Sequence, residues 1–195
     1  MEELDLNTQD TDIEEEPSIL VPTIEELAES EHLLNLEIIK YPDKRLKLSS
    51  VSVLDFEENR DELIKNLLYT MKVNGGVSIA APSVGIMIRL AIFNIGSPVI
   101  MFNPMLTSHS KEVVELEEGV ISIPGFFYNI KRYKEIEFVY QNELGEHIHS
   151  KANGLLAACI QHEMDILNGK LYLDKISKVK KFFELKKIKK HIKKR

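Results

Sequence analysis

Residues Gln161-His162-Glu163-Met164-Asp165-Ile166 hold an imidazole and a carboxylate side by side, with isoleucine four positions after the histidine. In a His-Glu-x-x-His helix the two histidines lie one turn apart on one face and grip a single metal ion, while the glutamate serves as general base. Here the second imidazole position is Ile166, which has no lone pair to donate. Two further segments have the small-residue character of site-forming turns: Gly76-Val77-Ser78-Ile79-Ala80-Ala81-Pro82-Ser83-Val84-Gly85, and Glu118-Gly119-Val120-Ile121-Ser122-Ile123-Pro124-Gly125. Cys159 lies one turn before His162, so a Cys-x-x-His pair is geometrically open to a metal. Its plainer reading is a small buried hydrophobe. His147 and His149 share one face of a strand, where Glu146 and Ser150 suggest a solvated hairpin arm.

The elements that position these residues follow from periodicity. Leu63, Ile64, Leu67, Leu68 and Met71 recur at helical spacing within residues 57–74, and Asn74-Gly75-Gly76 ends the run. The period then shortens. Residues 90–93, 99–102 and 136–140 are short apolar runs broken by Gly, Pro and Asn, the pattern of an antiparallel sheet, and Asn142-Glu143-Leu144-Gly145 marks a hairpin turn. Helical spacing returns through Leu155, Leu156, Cys159, Ile160 and Leu167 and closes at Gly169, which puts His162 and Glu163 on a largely apolar helix.

The chain has 195 residues, 44% of them hydrophobic, enough for one domain with a core. Its single cysteine excludes an intrachain disulfide and a multi-thiolate zinc site. We expect a cytoplasmic protein with no membrane partner, because no apolar run approaches the roughly 20 residues of a membrane span and no signal or transit peptide is visible.

Charge is polarised along the chain. Residues 1–31 carry twelve acids and no base, whereas residues 175–195 carry ten lysines and one arginine against Glu184 alone. We therefore expect three parts: an acidic, disordered tail over residues 1–35 with a short helix at Thr23 to Ser30, a domain over 36–175, and a basic amphipathic helix over 176–195. Ile176, Val179, Phe182, Phe183, Leu185, Ile188 and Ile192 form that helix's apolar set, expected to dock on the domain.

Taken in order, the three motifs resemble the signature motifs of peptide deformylases, metallohydrolases that remove the formyl group from the N-terminal methionine of new proteins. Ile39-Lys40-Tyr41-Pro42-Asp43 and Arg45-Leu46 resemble the family's opening segment, and the resemblance extends over residues 36–180. It implies an α+β fold of mostly antiparallel β-sheets around a central α-helix that carries the third motif. It also implies peptide-binding positions at Gly76, Ile79, Ala80, Gly119 and Ile121.

The resemblance implies damage at the working positions. Ser83 stands where the family has a glutamine that stabilises the oxyanion, and Ser78 replaces a glycine, which would shift the backbone if a positive φ is needed there. Val120 replaces the cysteine ligand and Ile166 the second histidine ligand. His162 and Glu163 remain. A catalytic site normally offers three protein ligands and one open position, and without a metal a bound water keeps a pKa of about 15.7 rather than about 7. Loss of an oxyanion donor alone costs about 10² to 10³ in rate.

We therefore expect no cofactor, although the family uses a divalent metal such as iron or zinc. Val120 and Ile166 are expected to pack where an ion would stand, leaving Glu163 neutral or hydrogen bonded. The function expected is a peptide-deformylase-like protein without deformylase activity, a monomer whose groove binds N-terminal peptides of nascent chains, with the strand-like Ile121 to Ile123 pairing the peptide. Ribosomal RNA is a further expected partner, through the basic C-terminal helix. The alternative is an active, divergent hydrolase with a rearranged site around Glu163 and Ser83.

Overall fold

The computed structural model describes residues 33–54, 60–95 and 97–192. Residues 1–32 of the expected disordered tail, with its short helix at Thr23 to Ser30, lie outside the described residues, whereas residues 33–35 are described and Leu34 N donates to Asn66 Oδ1 at 2.8 Å. Among those described, no helix is long and apolar enough to cross a membrane.

Among the described residues, seven strands form two antiparallel sheets. β1 (Ser78–Ala80), β2 (Leu90–Ile95), β3 (Ser97–His109), β6 (Glu135–Gln141) and β7 (His147–Asn153) make the larger, in the order β1-β2-β3-β6-β7. β4 (Val113–Gly119) and β5 (Phe127–Tyr133) make the smaller. Three α-helices are present among the described residues: α1 (Arg60–Val73), α2 (Gly154–Leu167) and α3 (Lys178–Ile192).

The near-continuous apolar runs of β2 and β3 follow from burial on both faces. Leu90, Ile92, Ile100 and Phe102 point to one face and pack with Ile64, Leu67, Leu68 and Met71 of α1. The alternate residues Ala91, Phe93 and Met101 point to the other and join Ala157, Ile160, Met164 and Leu167 of α2. Period two on a strand and period 3.6 on a helix thus fit together across one sheet.

α2 is the central element. Gln161, within the third motif, accepts from Tyr133 N (3.0 Å) and donates to Tyr133 O (2.9 Å), tying the helix to β5 as a neighbouring strand would. The helix ends at Asn168, and Gly169 follows with φ +68°. Glycine is required there, because a Cβ would stand 2.6 Å from the carbonyl oxygen of Lys47.

Two local expectations are corrected. The segment read as a small-residue loop is strand β1 followed by a 3-10 turn over Ala81–Val84. Residues 121–123 are a tight turn rather than a strand, closed by Ile123 N donating to Val120 O at 2.8 Å. The opening segment clamps both: Ile39 N donates to Ser83 O and Tyr41 N to Ser122 O, each at 2.9 Å.

The C-terminal helix docks with less of its apolar set than expected. Ile188 and Glu184 are buried and Leu185 is half-buried against the core, whereas Val179, Phe182 and Phe183 face solvent.

Candidate active-site groove

A groove of about 440 Å³ runs between β1, the β4–β5 turn and α2, a volume within the range of ligand sites. Ser78, Ser83, Val120, His162, Glu163 and Ile166 all line it, so the fold gathers residues from all three motifs at one place. Gly76, Ile79, Gly119 and Ile121 also line it. Ala80 is buried in the core beneath, and His147 and His149 lie on β7, away from the groove.

At the floor lies a charged network. Arg132, its side chain 2% exposed, grips Glu118 with two prongs, Nε to Oε1 at 2.6 Å and Nη2 to Oε2 at 2.8 Å. Its Nη1 donates to Asp165 of α2. His162 donates from Nδ1 to Glu118 Oε2 at 2.8 Å, which fixes the ring on the groove wall. Burial alone would raise the Glu118 carboxyl, but the hydrogen bonds from Arg132 and His162 outweigh it and hold it at about 2. Burial would lower His162, but the Glu118 hydrogen bond together with the charges of Glu163 and Glu118 outweighs it, so its pKa is raised.

Glu163 is different. It is 3% exposed, and burial pushes its carboxyl up against the pull of His162 and Ser78. Ser78 donates from Oγ to Glu163 Oε1 at 2.6 Å, while Oε2 is buried without a hydrogen-bond partner among the described residues. The serine that replaces glycine does not bend the backbone, since Ser78 sits in β1 and has no positive φ. Its effect is the hydroxyl.

Cys159 lines the same groove one turn before His162. Burial, reinforced by Glu163 and Glu118, pushes its thiol up to about 12. Burial thus favours the neutral thiol, a weakly polar wall residue of the groove. Val120 and Ile166 are 7% and 4% exposed and belong to one apolar core. Ser83 is 1% exposed.

The fold and groove define a class: α+β domains in which a His-Glu pair on a central helix faces a cleft edged by a strand. The family model described as polypeptide deformylase matches residues 35–182. A peptide deformylase of Thermodesulfovibrio yellowstonii is 36% identical over 160 residues, covering 79% of this chain and 96% of that protein. One of Hahella chejuensis is 34% identical over 164 residues, covering 82% and 98%. The crystal structure of peptide deformylase from Ehrlichia chaffeensis superposes with a TM-score of 0.77 at 35% identity, covering 82% of this chain and 97% of that one. The chain belongs to the peptide deformylase family.

That membership corrects the expectation of no cofactor. The relatives are named peptide deformylases, and the family works with a divalent metal ion. The ion is therefore part of the chemistry of this chain's own family. The side chains at the family's ligand positions nevertheless do not fit it: Val120 and Ile166 offer no donor atom, and His162 alone carries one. No group of three or more His, Cys, Asp or Glu able to hold a metal occurs among the described residues.

The Glu118–Arg132–Asp165 network was not readable from the sequence. Glu118 and Asp165 stand inside the motifs, but Arg132 sits in an alternating strand, on the inward side with Tyr128 and Ile130, where its partners cannot be read. A basic residue at an inward position of a two-stranded sheet was the only available signal.

Proposed function

We propose that this protein is a peptide-binding member of its family that does not deformylate, acting in the cytoplasm as a monomer on N-terminal peptides of nascent chains. The observation that carries the reading is the closure of Glu163. Its Oε1 is taken by Ser78, its Oε2 is buried, and the groove beside it includes the apolar Val120 and Ile166, so the family's general base has one oxygen held by protein and little of the other offered to water. Ser83 adds to this, because its short hydroxyl is a poorer oxyanion donor than the family's glutamine amide.

Peptide binding asks less of the site. β1 is a terminal strand of the larger sheet and lines the groove, so its free edge suits an extended peptide added as a further strand. Exposed Val77, Phe127 and Leu155 supply an apolar rim. The lysines of α3 would add sequence-independent attraction to ribosomal RNA.

The test is calorimetric titration with formylated and unformylated Met-initiated peptides of about five residues. Saturable binding of both, weakened about tenfold by Leu155→Glu on the rim, is expected. Absence of saturable binding up to millimolar peptide would refute the binding role. The second reading, a divergent hydrolase, is favoured by the 34–36% identity to proteins named peptide deformylases, and turnover of the formylated peptide would establish it.

A further inference from the structure

α3 has two opposite faces. Glu184 and Ile188 turn toward the domain, 6% and 1% exposed, while Val179, Phe182 and Phe183 are 67%, 55% and 57% exposed. At 3.6 residues per turn these three share one stripe with Lys186 and Lys190, on the side of the helix away from Glu184 and Ile188. Lys178, Lys180, Lys187 and Lys189 flank it. The helix's only acid, Glu184, is buried and pairs with Lys187 at 3.4 Å, so it does not offset the outer charge. A surface that is both cationic and aromatic calls for an occupant that is both anionic and apolar.

The chain carries such a segment. Residues 2–16 hold eight acids, Glu2, Glu3, Asp5, Asp10, Asp12, Glu14, Glu15 and Glu16, with Leu4, Leu6 and Ile13 between them and no base. A nucleic acid would match the lysines but leave the stripe of Val179, Phe182 and Phe183 without an apolar partner. The described chain begins at Leu33, anchored by Leu34 N donating to Asn66 Oδ1 of α1 at 2.8 Å. The intervening residues span up to about 55 Å when extended, more than the roughly 40 Å diameter of a domain this size. Tethering gives the two segments an effective concentration on the order of millimolar.

We propose that residues 2–16 dock on the outer face of α3, acids against its lysines and Leu4, Leu6 and Ile13 against Val179, Phe182 and Phe183. The contact would cover the basic outer face of α3 and make its approach to any polyanion dependent on displacing the protein's own N-terminal segment.

Zero-length carbodiimide coupling of the full chain, read by mass spectrometry on a mixture of heavy- and light-isotope protein, tests this. Links from Asp10 to Glu16 should favour Lys186, Lys187, Lys189 and Lys190 about fivefold or more over the exposed Lys65, Lys111 and Lys131. They should join heavy to heavy and light to light, fall away near 1 M salt, where the Debye length is about 3 Å, and drop several-fold in Phe182→Ser/Phe183→Ser. Even distribution over exposed lysines would overturn the proposal. So would heavy-to-light links, which would place the segment on a second copy, or links indifferent to the Phe182→Ser/Phe183→Ser change.

Discussion

The hydroxyl of Ser78 donates a 2.6 Å hydrogen bond to Oε1 of Glu163 across the groove, joining a first-motif strand to the third-motif helix. Buried carboxyl groups are tolerable when hydrogen bonded and costly when not. With Oε2 already unpartnered, Ser78 is the protein group that makes Glu163 acceptable in this position.

Ser78→Ala should therefore lower stability by about 1–3 kcal/mol, the cost of stranding a buried polar group. Urea unfolding of the variant beside Ser78→Thr, which keeps the hydroxyl, measures it. Equal stability of Ser78→Ala and the parent protein would show that the bond contributes nothing.

Glu118 neutralises Arg132 and orients His162 at once. Glu118→Gln leaves a guanidinium, 2% exposed, facing Asp165 alone. A loss of about 3–5 kcal/mol is expected, as for a buried pair that loses one partner. The exposed neighbour Glu117→Gln should stay within about 0.5 kcal/mol. Comparable losses in the two variants would contradict the network's importance.

Asp174 links three elements: it accepts from Lys181 of α3 at 2.6 Å, from Lys47 near the start of the domain, and from Leu171 N at 3.0 Å. Burial would raise its carboxyl, but the bonds from Lys181 and Lys47 prevail and hold it at about 2, below the ordinary 3.8. A value lowered in the folded state means stability present in full above the unfolded value and lost as pH falls through about 2. Discounted for partial exposure, Asp174→Asn should cost about 1 kcal/mol at pH 7, and the difference should close between pH 4 and 2. A deficit that persists unchanged at pH 2 would mean the shift is not its source.

The secondary structure around the site was legible because its periods are strong: α1, the runs of β2 and β3, and α2 ending at Gly169 all follow from residue spacing. The three motifs also announced that they would meet. What spacing could not show was side-chain partnership across elements. Ser78 reads as a missing glycine until Glu163 is seen 2.6 Å away. Arg132 lies in β5, a strand that residue spacing did not mark, and its partners Glu118 and Asp165 appear only in the fold. Val179, Phe182 and Phe183 share helical periodicity with Leu185 and Ile188, but only a wheel drawn against the docked face separates the two sets. The family, too, overruled the expectation of no cofactor, which had been drawn from ligand positions alone.

Turnover of a formyl-Met peptide by the purified full chain, supplied in turn with iron, nickel and zinc, tests the central claim most directly. The account predicts no release of formate above background for the parent protein. It predicts measurable release only when Ser78→Gly, Ser83→Gln, Val120→Cys and Ile166→His are combined, which restores three ligand positions, the oxyanion amide and an unclamped Glu163. Formate release by the parent protein at a rate typical of enzymes, about 1 s⁻¹ or faster, would contradict it.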